Sequence, residues 1–154
     1  GSSDAELLDG GLGNDRLRGN KGNDYLLGGD GADTYLFAAG DGQDVLNNLS
    51  NTPADTDVLS LEGLTRENLW LSRQGNDLVL DVRGSEDRIT VQDWYASPAQ
   101  QLDKVQAGTS ALYASQVDVL VNAMAAFGAP AGGELTLSTS QREQLNTVIA
   151  ANWQ

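Results

Sequence analysis

Asp15, Asp24 and Asp33 stand nine residues apart, each two places after a glycine, in the stretches "GGLGNDRLR" from Gly10, "GNKGNDYLL" from Gly19 and "GGDGADTYL" from Gly28. The chemistry open to such a set is oxygen ligation. Carboxylates, together with carbonyls that glycine-rich turns can aim at one point, suit a hard cation with oxygen ligands at roughly 2.3 to 2.6 Å. Glycine is costly to order and Asp is seldom buried without a partner, so the pattern implies a partner outside the chain. The 154 residues include no Cys and no His. That excludes Cys/His zinc sites, thiol nucleophiles and Ser-His-Asp triads within this chain. Paired carboxylates can cleave glycosides, but here the pairs are committed to the cation and no other acid, base and nucleophile set stands out, so no enzyme is expected.

Charge narrows the partners. The formal net charge is -13, and residues 1–60 hold 11 Asp/Glu against 3 Lys/Arg, so the acidity concentrates where the glycines do. Such a surface favours cations and argues against nucleic acid or an anionic membrane. No uninterrupted apolar run approaches the roughly 20 residues of a membrane span, and no N-terminal signal peptide is visible. An exported chain would carry its address elsewhere. The opening Gly1-Ser2 reads as a remnant of cloning, which would make the chain an excised fragment of something longer. A secreted protein without disulfides needs another staple, and an oxygen-bound metal is the one this composition could supply.

The elements that must position the aspartates follow from the same frame of nine. Position 4 is Gly13, Gly22 and Gly31, position 6 is Asp15, Asp24 and Asp33, and position 8 is Leu17, Leu26 and Tyr35. Upstream the frame places Glu6 and Leu8 at positions 6 and 8; downstream "GDGQDVL" repeats the Gly42 to Asp44 relation after two extra residues. Gly/Asn/Asp clusters usually mark solvated loops, but a loop has no reason to keep one large apolar residue at a fixed phase, whereas a stacked coil does. Three residues such as "RLR" or "YLL" make a strand about 10 Å long with the position-8 side chain inward, and six make a turn. If successive strands alternate between two opposed sheets, residues i and i+18 stack about 4.8 Å apart, which places Asp15 over Asp33 and Asp24 near Asp44. Stacked carboxylates repel unless a cation lies between them. The entropy of ordering so many glycines exceeds what burial of Leu12, Leu17, Leu26, Leu27, Tyr35 and Leu36 supplies, so the segment is expected to be unfolded without metal and folded with it.

These repeats resemble the glycine- and aspartate-rich nonapeptide repeats of RTX proteins, a motif already associated with calcium. The resemblance implies an all-β chain built on a Ca2+-bound parallel β-roll, with each ion held by two turns one coil apart. One site would take carbonyls of Gly11 and Gly13 with Asp15, and carbonyls of Gly28 and Asp30 with Asp33. A second would take carbonyls of Asn20 and Gly22 with Asp24, and Asp41 with Asp44. A third would pair Gly19, Lys21 and Asp24 with a turn around Asp4 and Glu6, where Glu stands in place of Asp and the glycines are missing.

Beyond Val45 the glycine rhythm ends. "NLWLSRQGNDLVLDVRGSEDRITVQDWY" alternates around the turn signals "QGND" and "GSED" and predicts a three-strand antiparallel meander. Its simplest role is to cap the open end of the roll. Asp57 in "DTDVLSL" keeps the Asp-x-Leu phase and extends the stack. Trp94 and Tyr95 suggest either packing under the cap or an aromatic platform for a glycan. Val117, Leu120, Val121, Met124 and Phe127 predict a helix over Gln116–Phe127 with Ser115 as N-cap; "GAPAGG" breaks the chain, and Ser140 with Glu143 forms a capping-box match ahead of Leu145, Val148 and Ile149.

The organisation expected is therefore repeats over 1–46, a β cap over 47–113 and a helical tail over 114–154. From about Asp57 onward, "RQGNDL", "TVQDWY", "VDVLVNAMA" and "ANWQ" resemble the C-terminal block of adenylate cyclase toxin-haemolysins within the RTX family. That likeness implies that the tail is an uncleaved signal for a type I secretion apparatus, and that the chain is a secreted, monomeric bacterial module that folds on extracellular calcium. The alternative is an adhesin module that binds a glycan or surface ligand. The residues themselves show only a loosely held, apolar-ended tail.

Overall fold

A computed structural model of the chain describes residues 3–50, 55–97, 100–126 and 139–154. The repeats form short strands at the expected places: β1 (Leu7–Asp9), β2 (Arg16–Arg18), β3 (Tyr25–Leu27), β4 (Thr34–Ala38) and β5 (Gln43–Asn47). Position 8 points inward in each full repeat, with Leu17, Leu26 and Tyr35 all buried. Alternate strands pair in parallel. β1 lies on β3 with Leu7 opposite Tyr25, and β2 on β4 with Arg16 opposite Thr34, both eighteen residues apart. The insertion before Asp44 lengthens the next step, so Tyr25 meets Val45.

The chain continues as β6 (Val58–Glu62), β7 (Leu69–Gln74), β8 (Asp77–Val82), β9 (Arg88–Val91), β10 (Lys104–Ala107) and β11 (Ser110–Tyr113). Two sheets result, in the orders β1-β3-β5-β9-β8-β7 and β11-β10-β6-β4-β2. Both are mixed: parallel through the repeats and as far as β9 and β10, antiparallel beyond. The chain is thus mostly strand, with two helices. The meander forms as predicted, turning at Gly75 and again around Gly84. It covers the exposed edge of β5 by hydrogen-bonding in plane, β9 alongside β5. The strands β10 and β11, which the sequence pattern did not disclose, cover β6 in the same way.

Apolar residues of both sheets, the loops and the helices join one core, from Leu17 and Leu26 through Trp70, Leu80 and Val105 to Ile149 and Trp153. Leu12, expected in it, is 83% exposed, because its residue makes only an isolated bridge to Asp30 at the rim of a turn. Leu27 and Leu36 are only half-buried, since in a strand alternate side chains face opposite ways.

Helix α1 (Ala114–Ala125) buries Val117, Leu120, Val121 and Met124. It begins directly off β11 at Tyr113, so Ser115 lies inside the first turn and is not the cap. Phe127 and "GAPAGG" lie outside the described residues. Helix α2 (Thr139–Asn152) buries Leu145 and Ile149. Ser140 sits inside this helix, so it is not the N-cap that the predicted capping box required. The expected loose tail is in fact held: Trp153 is buried, and Gln154 exchanges two backbone hydrogen bonds of 2.8 Å with Ala111 of β11.

Candidate metal centre

From the second repeat onward, each turn places its position-6 carboxylate under the backbone of the coil before it. Asp33 Oδ1 accepts the Asp15 N–H at 2.9 Å, and Asp44 Oδ1 accepts the Asp24 N–H at 3.0 Å. The same link joins Glu6 N–H to Asp24 Oδ1 at 2.8 Å and Asp33 N–H to Asp57 Oδ1 at 2.8 Å. One oxygen each of Asp24, Asp33, Asp44 and Asp57 is therefore spent on stacking the coils. The Oδ2 atoms of Asp15, Asp24 and Asp33 are buried and have no hydrogen-bond partner. A buried carboxylate oxygen without a partner is costly.

The turns are shaped around these oxygens. A Cβ on Gly10 would stand 2.7 Å from both Asp15 Oδ2 and the Gly28 carbonyl, so those two oxygens converge where the glycine leaves room. A Cβ on Gly19 would overlap Asp24 Oδ2, and one on Gly28 would overlap Asp33 Oδ2. At position 4, Gly31 has φ +119° and packs against the Gly13 carbonyl, and Gly42 packs likewise on the Gly22 carbonyl. Position 2 is left-handed in every repeat, at Gly11, Gly29 and also Asn20 with φ 65°. Asn is among the few non-glycine residues that accept this conformation.

The first expected set is brought together. Gly11 O accepts the Asp30 N–H and Asp30 O accepts the Gly13 N–H, each at 2.9 Å, which locks the two turns face to face beside Asp15 and Asp33. In the second set Gly42 packs on the Gly22 carbonyl and Asp44 stacks on Asp24, Asn20 adopts the left-handed turn conformation, and the Asp41 carboxylate closes its own turn by accepting the Ala38 N–H at 2.8 Å. In the third, Gly19 packs on Asp24, and a Cβ on Gly22 would stand 2.6 Å from the Asp4 carbonyl; the Lys21 side chain is exposed. Among the described residues no group of three or more acidic side chains converges as a metal cluster. An ion here would be held by a pair of carboxylates and by backbone carbonyls, which is the donor set of a hard, oxygen-loving cation.

Charge strains the stack in the absence of an ion. Burial, with Asp57, Asp15 and Asp55 nearby, raises the Asp33 pKa above the ordinary carboxylate range. Burial and the neighbouring Asp24, Asp41 and Asp87 push Asp44 up to about 7. Burial, then Asp103 and Asp55, raise Asp57.

Several participants escaped the sequence reading. Asn14 and Asn23, at position 5, accept the backbone N–H of Ala32 and Gln43 and stitch each turn to the next coil. Asp103 continues one ladder, accepting the Asp57 N–H at 2.7 Å. Asp87 accepts the Gly40 N–H at 2.7 Å and the Gly42 N–H at 3.2 Å. Both precede an apolar residue by two places, in "DKV" and "DRI", the same Asp-x-apolar phase as the repeats. The aromatic platform does not form: Trp94 is in the core, and the half-buried Tyr95 ring lies under the Arg73 guanidinium at 4.3 Å.

Known families meet this geometry in two places. Residues 1–35 match the RTX calcium-binding nonapeptide repeat in four copies, and residues 77–106 match the haemolysin-type calcium binding protein related domain. The chain carries RTX repeats. Calcium is the ion such repeats bind. The iron-regulated protein FrpA of Neisseria meningitidis serogroup C is 37% identical over an alignment of 76 residues that covers 47% of this chain and 7% of FrpA. The RTX chain therefore spans a small part of the length of that relative.

Proposed function

We propose that this RTX chain is a calcium-switched folding module of a secreted bacterial protein. The observation that carries the reading is the set of three buried carboxylate oxygens, on Asp15, Asp24 and Asp33, that no protein donor satisfies. Calcium would be held by Gly11, Gly13, Asp15, Gly28, Asp30 and Asp33 at one site and by Asn20, Gly22, Asp24 and Asp44 at another. The ion supplies positive charge and oxygen coordination. The chain supplies carbonyls aimed by left-handed turns, and carboxylates held in register by the N–H of the coil before.

In this reading the parallel repeat strands are a β-roll that exists only with calcium. Where free calcium is scarce the stacked carboxylates repel and the glycine-rich chain stays extended, a form suited to a narrow export channel. At millimolar calcium, sites with Kd of roughly 0.1 to 1 mM fill and draw the chain into its fold. Residues 114–154 act as the C-terminal signal for a type I secretion apparatus, and the module works as a monomer. Support comes from the family matches and from FrpA, itself a match for about half the chain.

The test is a calcium titration followed by far-UV circular dichroism and Trp fluorescence, with magnesium as control. All three tryptophans, Trp70, Trp94 and Trp153, are buried and lie outside the repeats. Fluorescence therefore reports the later strands and helices, and dichroism the strands as a whole. A joint transition with calcium and none with magnesium is the expected result. A full strand signal in chelator overturns the switch.

A further inference from the structure

The two faces of the repeat stack end differently. On the face of Asp24 and Asp44, register ends the column: β9 pairs with β5 so that Ile89, not Asp87, lies opposite Asp44. Asp87 instead reaches the amides of Gly40 and Gly42. On the face of Asp15 and Asp33, register does not end it. Asp57 and Asp103 continue the ladder with hydrogen bonds of 2.8 and 2.7 Å, so carboxylates remain stacked well beyond the repeats. Another device must decide whether an ion enters the gap between Asp33 and Asp57.

We propose that Asn48 is that device, and that its side-chain amide holds the place of a cation and so limits the number of calcium ions on this face. The inference rests on the calcium reading above. Asn48 is 1% exposed. Its Nδ2 donates to Asp57 Oδ2 at 2.9 Å and to the Gln101 carbonyl at 3.2 Å, while its Oδ1 accepts the Tyr35 hydroxyl at 2.7 Å. The amide NH2 is thus flanked by a carboxylate and a carbonyl oxygen, the company a calcium ion would keep. Both oxygens of Asp57 are consequently taken by protein donors, the Asp33 N–H and Asn48. Asp15, Asp24 and Asp33 each keep one that is not. The Asp57 carboxylate and the Gln101 carbonyl, which can only accept, fix the NH2 end of the amide toward themselves, and Tyr35, in the position held by Leu17 and Leu26 in the other repeats, donates its hydroxyl to the oxygen end.

Replacing the amide by a carboxylate converts the plug into a ligand. In Asn48→Asp the end of the side chain that now donates becomes an oxygen facing the Asp57 carboxylate and the Gln101 carbonyl, and a cation relieves the repulsion. The experiment is equilibrium dialysis of the full chain against calcium, with bound metal counted per chain by atomic emission and folding followed by circular dichroism. Asn48→Asp is expected to bind one more ion than the wild type. Asp57→Asn is expected to bind the same number, whereas Asp33→Asn binds one fewer. An unchanged count in folded Asn48→Asp, or the loss of an ion in Asp57→Asn, overturns the proposal. Should Asn48→Asp fail to fold in calcium, the count in Asp57→Asn decides. A wild type that binds no calcium identifies failure of the underlying reading instead.

Discussion

The Asp15 N–H donates to the Oδ1 atom of Asp33, eighteen residues further on, at 2.9 Å, while the other oxygen of each carboxylate is buried without a partner. One side chain thus serves two purposes. Its first oxygen fixes the spacing of the coils, and its second is the one proposed above to meet the ion. Stacking and binding are separable by substitution, because Asn keeps a carbonyl-type acceptor and loses the charge.

Asp33→Asn is therefore expected to preserve the ladder and weaken the ion. The calcium midpoint for folding should rise about tenfold or more, equivalent to about 1.4 kcal/mol or more, with the spectrum at saturating calcium retained. Asp33→Ala removes the acceptor as well and should lose part of the strand signal even at saturation. Dichroism-monitored titrations of the two variants side by side check this; equal behaviour would mean the hydrogen bond contributes nothing.

Gly19 makes a different demand. Its backbone does not need a positive φ, but a Cβ there would overlap Asp24 Oδ2, one of the buried oxygens without a protein donor. Gly19→Ala should displace that carboxylate, raise the calcium midpoint and lower the number of bound ions by one. Gly108, whose surroundings are open, has φ +61° and serves as a control for strain alone. Gly108→Ala should destabilise the fold without changing the ion count in the dialysis assay.

Acid should partly replace calcium. Burial, with Asp24, Asp41 and Asp87 close by, raises the Asp44 pKa from 3.8 to about 7. A carboxyl whose folded value exceeds its unfolded one favours the fold when protonated. Its contribution to the calcium-free fold is full below about pH 4 and is lost as pH rises through about 7. In chelator, lowering the pH from 8 to 5 should increase the strand signal. The calcium midpoint should move the other way, upward, because the ion requires ionised carboxylates. A chelated chain whose spectrum is flat over this range would count against a carboxylate stack as the obstacle to folding.

Much of this was legible in the residues. A fixed frame of nine gives the alternation of strands between sheets, the inward Leu17, Leu26 and Tyr35, and the stacking of Asp15 on Asp33, because strand rise and coil period leave little freedom. Turn signals at Gly75 and Gly84 located the meander for the same local reason. What stayed hidden depends on residues distant in sequence. Nothing local marks β10 as a parallel partner of β6, or Gln154 as a partner of Ala111. The role of Asn48 also needed the fold, since Tyr35, Asp57 and Gln101 meet it only across three coils. Leu12 failed by the opposite route: its apolar side chain suggested a place in the core that the rim of the turn does not offer.

The chain end supplies the last prediction. Trp153 is 3% exposed in the same core as Leu17 and Leu26, and Gln154 pairs with β11, which pairs with β10 and through it with β6. Since β6 lies on β4 of the repeats, the C-terminus and the calcium turns share one sheet. Truncating Trp153 removes a large buried side chain, a change that typically costs about 3 to 5 kcal/mol. If the sheet folds as a unit, Trp153→Ala should raise the calcium midpoint seen by dichroism and by the remaining tryptophans together. Repeats that fold at unchanged calcium while Trp70 and Trp94 report disorder would instead separate the roll from its cap, and with it the coupling between ion binding and burial of the C-terminal segment.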